Sequence, residues 1–156
     1  MKKTSRTGLT IIELLVAAAA MCIVVFAAGI ILVFGQRSWN QGLRQAGLQR
    51  DAAFAMLKMK QSISSGKLTQ LDADGLGIKI YQDTGWIRYR YEQGENDLCY
   101  QIEGQEEQTL LDGIVEDVTF EVDPNTGKMV LVDIELQKEG SRTRLSSKTM
   151  MRNFGT

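Results

Sequence analysis

The chain contains 156 residues, with 18 Lys and Arg against 19 Asp and Glu and 44% hydrophobic residues, so its formal net charge is -1. This length allows one ordinary folded domain. Because the chain has no histidine, an imidazole base and a His-ligated metal centre are both excluded. Two cysteines, Cys22 and Cys99, are too few for a disulfide scaffold or a Cys-rich zinc site. We therefore expect no enzymatic activity, no catalytic residues, no cofactor and no metal site.

The first distinctive feature in chain order is an apolar segment at residues 14–34, which holds 21 consecutive residues without a charge or a strongly polar side chain. As a helix it would span about 31 Å, close to the thickness of a bilayer core. Three basic residues precede it within the first six positions, and the first charge after it is Arg37. The positive-inside rule predicts a single-pass protein with a cytoplasmic N-terminus and the remainder outside. A cleaved secretory signal is the alternative, although its apolar core usually holds about 7 to 15 residues.

Glu13 stands directly before this apolar segment. An unpaired carboxylate inside a bilayer is costly, so the side chain requires a partner or access to water. In one interpretation it reaches the cytoplasmic interface beside Lys2, Lys3 or Arg6. In the other interpretation, a second molecule supplies the partner.

The residues around Glu13, GLTIIELLVA at positions 8–17, resemble the prepilin processing motif of type IV pilins and pseudopilins. In that family a short basic leader ends in Gly, a prepilin peptidase cuts after it, and the new first residue is N-methylated. The fifth mature residue is Glu. The resemblance implies a leader at residues 1–8, cleavage between Gly8 and Leu9, N-methylation of Leu9, and a role for Glu13 in filament assembly. Two departures are Leu9, where Phe is commonest, and the lack of a proline near the middle of the helix.

The family resemblance also implies partners and a role for the charges. After cleavage, Leu9 would carry a free α-amino group that is mostly cationic at neutral pH. We expect Glu13 to receive this ammonium group from a neighbouring subunit, which would fix the register between two copies. The partners implied are other pilin or pseudopilin subunits, a prepilin peptidase and N-methyltransferase, an inner-membrane assembly platform and the lipid bilayer.

Helical periodicity continues beyond the membrane half at residues 9–34 into an amphipathic half at residues 35–66. Ser64, Ser65 and Gly66 predict the end of this helix near residue 65. Apolar residues form two adjoining stripes. The first holds Trp39, Leu43, Ala46, Ala53 and Leu57, and the adjoining stripe holds Ala52, Met56, Met59 and Ile63. We expect this half to pack one face on the rest of the chain.

From residue 67 the pattern alternates with period two, which predicts β-strands. The predicted strands are 76–82, 86–92, 98–103, 118–122, 129–137 and a final one within 142–152. Turn-forming residues separate them, so we expect one antiparallel meander over residues 67–156. The predicted fold class is therefore α+β and pilin-like: one very long N-terminal helix, its first half transmembrane, packed against an antiparallel β head. Within it, Cys99 is expected to be a small buried hydrophobic residue.

Three groups of residues in the head are candidate sites. Clustered Asp72 and Asp74 before Gly75 suggest calcium, but they are too few for a full oxygen shell and turn chemistry explains them equally well. A basic stripe and an aromatic set suggest nucleic-acid binding; they are Arg142, Arg144, Lys148 and Arg152, and Trp86, Tyr89, Tyr91 and Tyr100. The residues after position 34 include 15 basic and 18 acidic ones, and this net charge of -3 argues against nucleic acid as a partner.

Together, the resemblance implies a structural subunit of a type IV pilus, a type II secretion system or a DNA-uptake filament. The long head and its paired strands are more similar to a minor subunit of the J or W type than to a major one. Such a subunit would move from the cell membrane into an extracellular or periplasmic filament. The alternative is a membrane-tethered binding domain, for example a DNA receptor on a competence pseudopilus.

Overall fold

The computed structural model describes residues 10–152. The described chain contains one helix, α1 at Ile11–Ser64, followed by eight strands. The strands are β1 Leu68–Leu71, β2 Gly77–Gln82, β3 Gly85–Glu92, β4 Asp97–Ile102, β5 Gln108–Leu111, β6 Val115–Val122, β7 Met129–Lys138 and β8 Ser141–Met150. All neighbouring strands are antiparallel, in the orders β1-β2-β3-β4-β5 and β6-β7-β8. The predicted α+β class, a long apolar helix packed against antiparallel strands, is confirmed.

The chain divides into two compact parts after Gly42, and each is best described by itself. In the first part, every described residue from Thr10 to Gly42 is helical or caps the helix, and every one is exposed. By length and composition, α1 is the one helix of the described chain that is long and apolar enough to cross a membrane. The expected membrane anchor is therefore confirmed only as a helix that is able to span a bilayer.

In the second part, from Leu43 onward, one face of α1 packs on the sheets. The buried apolar residues of this face are Leu48, Ala52, Ala55, Met56, Met59 and Ile63. Of the two apolar stripes, the one that contains Leu43 and Leu57 is not covered, because these residues are 57% and 66% exposed. The adjoining stripe is buried instead. Two apolar stripes lie side by side at helical spacing, and only contact with the sheets determines which is covered.

The strands supply the other side of the core through alternate side chains that point into it. On β7, Val130, Val132, Ile134 and Leu136 are all buried, as the period-two pattern predicts. On β3, Tyr89 and Tyr91 point inward. The Tyr89 hydroxyl lies 2.8 Å from Ser62 Oγ and so links β3 to α1. This hydrogen bond gives the buried Tyr89 hydroxyl a partner, while the Ser62 hydroxyl also contacts the Lys58 carbonyl at 3.1 Å.

The expectation of a single meander was wrong, since the strands form two sheets. The chain leaves the first sheet between β5 and β6, where Gly113 has φ +62° and its N–H donates to Asp97 Oδ1 at 2.6 Å. The short strands β1 and β5, with four residues each, were not predicted. Runs of four residues carry too few alternations to be recognised from sequence.

Substitutions on the two apolar stripes of α1 test which stripe is buried. Met59→Ala should lower the free energy of unfolding by about 2 to 5 kcal/mol, because it removes a fully buried side chain and leaves a cavity. Leu57→Ala is the matched control on the same helix and should change it by less than about 0.5 kcal/mol, because Leu57 is exposed. Urea unfolding of the full chain in mild detergent, followed by near-UV circular dichroism, measures both. Equal losses in the two variants would contradict the packing described above.

Candidate functional site at the start of the helix

The helix begins with a reciprocal pair of side chains, Thr10 and Glu13. The Glu13 N–H donates to Thr10 Oγ1 at 3.3 Å. In return, the Thr10 N–H and the Thr10 hydroxyl donate to Glu13 Oε2 at 2.9 and 3.0 Å. This arrangement is a capping box, in which two backbone N–H groups of the first turn find side-chain acceptors. Thr10 is therefore the N-cap of α1.

The capping box was not anticipated, although the sequence contains its signal. The motif is Thr or Ser followed three positions later by Glu or Gln, and it is present here as TIIE at residues 10–13. Both hydrogen bonds from Thr10 to the Glu13 carboxylate are accepted by the same oxygen, Oε2. Glu13 thus points back along the chain toward residue 10. The expected cleavage site, Gly8 and Leu9, lies outside the described residues.

The surface that follows Glu13 is apolar on all sides. Bulky apolar side chains such as Phe26, Ile31 and Phe34 are more than 60% exposed, and Cys22 is exposed as well. No ionisable carboxylate or ammonium group lies between Glu13 and Arg37. A continuous apolar surface of this extent is unfavourable in water and requires either lipid or other protein surface around it. Glu13 therefore marks the polar end of this surface.

The calcium candidate in the head is explained by ion pairs. Asp72 Oδ2 accepts hydrogen bonds from Arg88 Nε at 3.0 Å and from Nη2 at 2.7 Å. Asp74 accepts from the Leu76 N–H at 3.1 Å and from Arg90 Nη2 at 3.3 Å. Arginines from β3 thus neutralise both carboxylates. The pair consequently offers little attraction for a calcium ion.

Two members of the basic stripe, Arg142 and Arg144 on β8, are likewise paired with acidic side chains. Arg144 makes two contacts of 2.9 Å with the Asp133 carboxylate, and the hydrogen bond and charge of Asp133 raise the pKa of Arg144. Arg142 pairs with Glu116 and lies 3.8 Å from Glu135. Both guanidinium groups form ion pairs with carboxylates of the same chain. A nucleic-acid phosphate would have to displace these carboxylates to bind them.

The aromatic set is also divided by the fold. Tyr89 is 0% exposed and Tyr91 is 4% exposed, so neither ring offers a face to a base. Trp86 and Tyr100 are only half-buried, but each has an ammonium group over its ring. Lys79 Nζ lies 3.9 Å from the Trp86 ring centre, and Lys58 Nζ lies 3.2 Å from that of Tyr100. These rings already take part in cation–π contacts.

Comparison of the chain with protein-family models, curated proteins and solved structures found no match. The function must therefore be inferred from the chemistry of the chain. Among the expected site residues, the structure places Glu13 at a defined position, in contact with Thr10. The candidate nucleic-acid residues do not form one exposed cationic and aromatic surface.

The pairing of Arg142 and Arg144 predicts the outcome of a nucleic-acid binding assay. The full chain in detergent should give no salt-dependent retention of single-stranded or duplex DNA on filters at low salt, because Arg142 and Arg144 have carboxylate partners and the residues after position 34 carry a net charge of -3. A double variant, Asp133→Asn with Glu116→Gln, serves as the comparison because it removes the shortest carboxylate contact of each arginine. DNA retention by the unmodified chain that declines steeply with salt would refute this expectation.

Proposed function

We propose that this protein is a structural subunit, of the minor pilin or pseudopilin type, in a type IV pilus, type II secretion or DNA-uptake filament. The observation that carries the proposal is Glu13. It is a lone carboxylate at the start of an exposed, charge-free helix of membrane length, in the register GLTIIELLVA. A soluble protein has no use for such a surface. A subunit that is stored in a membrane and later packed into a filament requires it in both places.

The geometry of Glu13 supports a role next to a new amino terminus. Cleavage after Gly8 would leave Leu9 as the first residue, directly before Thr10. The Glu13 carboxylate already contacts the Thr10 N–H at 2.9 Å and so lies at the end of the helix where an ammonium group would form. The N-terminal end of a helix also favours negative charge. A carboxylate held there is pre-oriented for a cation.

Assembly gives this carboxylate its second role. When apolar helices pack together in a filament core, each unpaired charge inside it is strongly unfavourable. An ammonium group of Leu9 from a neighbouring copy would neutralise Glu13, and a shift along the axis would separate the two charges. The pair therefore specifies register as well as attraction. Prepilin peptidase, an N-methyltransferase activity and an assembly platform in the membrane are the partners that this scheme requires.

The alternative function is a membrane-tethered binding domain, such as a DNA receptor of a competence pseudopilus. It needs only an anchor and a displayed head with affinity for a ligand. The paired state of Arg142 and Arg144 gives no support to nucleic acid as that ligand. The two functions differ in one chemical consequence, because only the filament subunit requires removal of residues 1–8.

Processing can be measured directly. When the full chain is co-expressed with a prepilin peptidase, intact mass and N-terminal sequencing should give a chain that begins at Leu9 and carries one added methyl group. Gly8→Val should block the cut because it places a bulky side chain at the scissile bond. Thr7→Val is the matched control in the same leader and should be processed normally. A mature chain that still begins at Met1 would rule out the proposed function.

Incorporation of variants into filaments can distinguish the charge of Glu13 from its capping role. Glu13→Gln retains a capping side chain but removes the charge, whereas Thr10→Ala removes the cap and retains the charge. We expect Glu13→Gln and Glu13→Ala to be processed but to be depleted at least about tenfold from sheared filaments, as expected for loss of a charge pair in an apolar core. Thr10→Ala should be incorporated nearly as well as the unmodified chain.

The opposite pattern has an equally clear meaning. Normal incorporation of Glu13→Gln together with a defect in Thr10→Ala would show that Glu13 serves the helix end alone. The amount of each variant in sheared filaments, relative to the amount in membranes, is the quantity to compare.

A further inference from the structure

Cys99 occupies an unexpected place in the first sheet. It is 6% exposed, yet it is not part of the apolar core formed by neighbours such as Leu98. Successive side chains of a strand point to opposite faces, so Cys99 lies on the face away from Leu98 and Tyr100. The expected burial of Cys99 is confirmed, and its Sγ lies near the polar side chains of Thr109, Glu92 and Glu107. Its one hydrogen-bond contact is a long one, 3.9 Å from Sγ to Thr109 Oγ1.

Two carboxylates converge on this thiol from adjacent segments. Glu92 comes from the end of β3, and Glu107 directly precedes β5. One carboxylate oxygen of each lies within 4.8 Å of the other and of Cys99 Sγ. Within residues 10–152, neither glutamate takes part in an ion pair. Three potential metal ligands thus meet at one point without a countercharge.

Two arginines of β3, the strand next to Cys99, are paired with other carboxylates. Arg90 is the cross-strand partner of Cys99, but its guanidinium group turns to Asp74 at 3.3 Å. The neighbouring Arg88 binds Asp72 at 2.7 Å. The site therefore has an excess of negative charge that nearby side chains do not offset.

We propose that Glu92, Cys99 and Glu107 bind one divalent cation of the zinc class. Zinc accepts a mixture of thiolate and carboxylate ligands, with Zn–S near 2.3 Å and Zn–O near 2.0 to 2.2 Å, and a water molecule completes a tetrahedron. Calcium and magnesium require shells made of oxygen and are disfavoured by the thiolate. Exposed Glu107 has the freedom to close the remaining distance. On binding, the Cys99 S–H bond breaks, its proton passes to solvent and an S–metal bond forms.

Such a site would fasten the edge strand β5 to β3 and β4. β5 is only four residues long, and its register with β4 shifts between Leu98 and Cys99. A metal bridge that spans all three segments would hold this edge in place. The inference does not depend on the proposed filament function, because it concerns the head alone.

Cobalt and zinc titrations of the full chain in detergent test the site. We expect one equivalent of Co²⁺ to give a thiolate-to-cobalt charge-transfer band in the near ultraviolet, and Zn²⁺ to abolish it by displacement. Cys99→Ser should remove the band, and Glu107→Gln should weaken Zn²⁺ binding about tenfold or more. The matched controls are Cys22→Ser, which removes the other thiol, and Glu106→Gln, which alters the adjacent carboxylate; both should bind as the unmodified chain does. Affinity should decrease as the pH is lowered, because protons compete for the thiolate.

The proposal fails if no saturable binding is found at one equivalent, or if Glu107→Gln and Glu106→Gln bind Zn²⁺ equally well. It also fails if the cobalt band is retained in Cys99→Ser. Should Cys99→Ser not fold, the comparison of the two exposed glutamates decides the question, since neither lies in the core.

Discussion

The helix α1 must satisfy two different surroundings along one continuous chain, and the rest of the molecule follows from this constraint. Its first half has apolar side chains on every side and no charge between Glu13 and Arg37. Its second half has a single buried stripe that includes Met59 and Ile63. The first half can be covered only by lipid or by other apolar helices, whereas the second is covered by the chain's own sheets. The first half of α1 is thus compatible with lipid and with apolar protein surface around it.

Glu13 lies at the N-terminal end of the apolar half of α1, directly before residues 14–34. Its carboxylate caps the helix through Thr10, so it contributes to local structure without any partner molecule. The same orientation places negative charge at the start of the helix, where a cationic amino terminus would be stabilised. The capping role and the proposed intermolecular role do not exclude each other. A side chain already fixed by a cap would require less ordering to receive the ammonium group of a neighbouring copy.

In the head, most charges of the candidate sites are paired with near neighbours. Arg88, Arg90 and Arg144 each contact a carboxylate on a neighbouring strand or turn. The group around Cys99 is the exception, because its two glutamates have no such partner among the described residues. This contrast explains why the calcium and nucleic-acid hypotheses lost support. The same contrast supports a cation site at Glu92 and Glu107, two residues that no sequence motif marks.

The sequence by itself determined the features that depend on local spacing: the apolar helix, the end of α1 near Ser64, and the alternation that made β7 buried on one face. It also contained the TIIE capping signal. Only the tertiary structure decided which of two adjacent helical stripes is buried, that the strands divide into two sheets, and that Glu92, Cys99 and Glu107 meet. Those outcomes depend on contacts between residues far apart in the chain, and periodicity along one segment carries no information about the segment that packs against it.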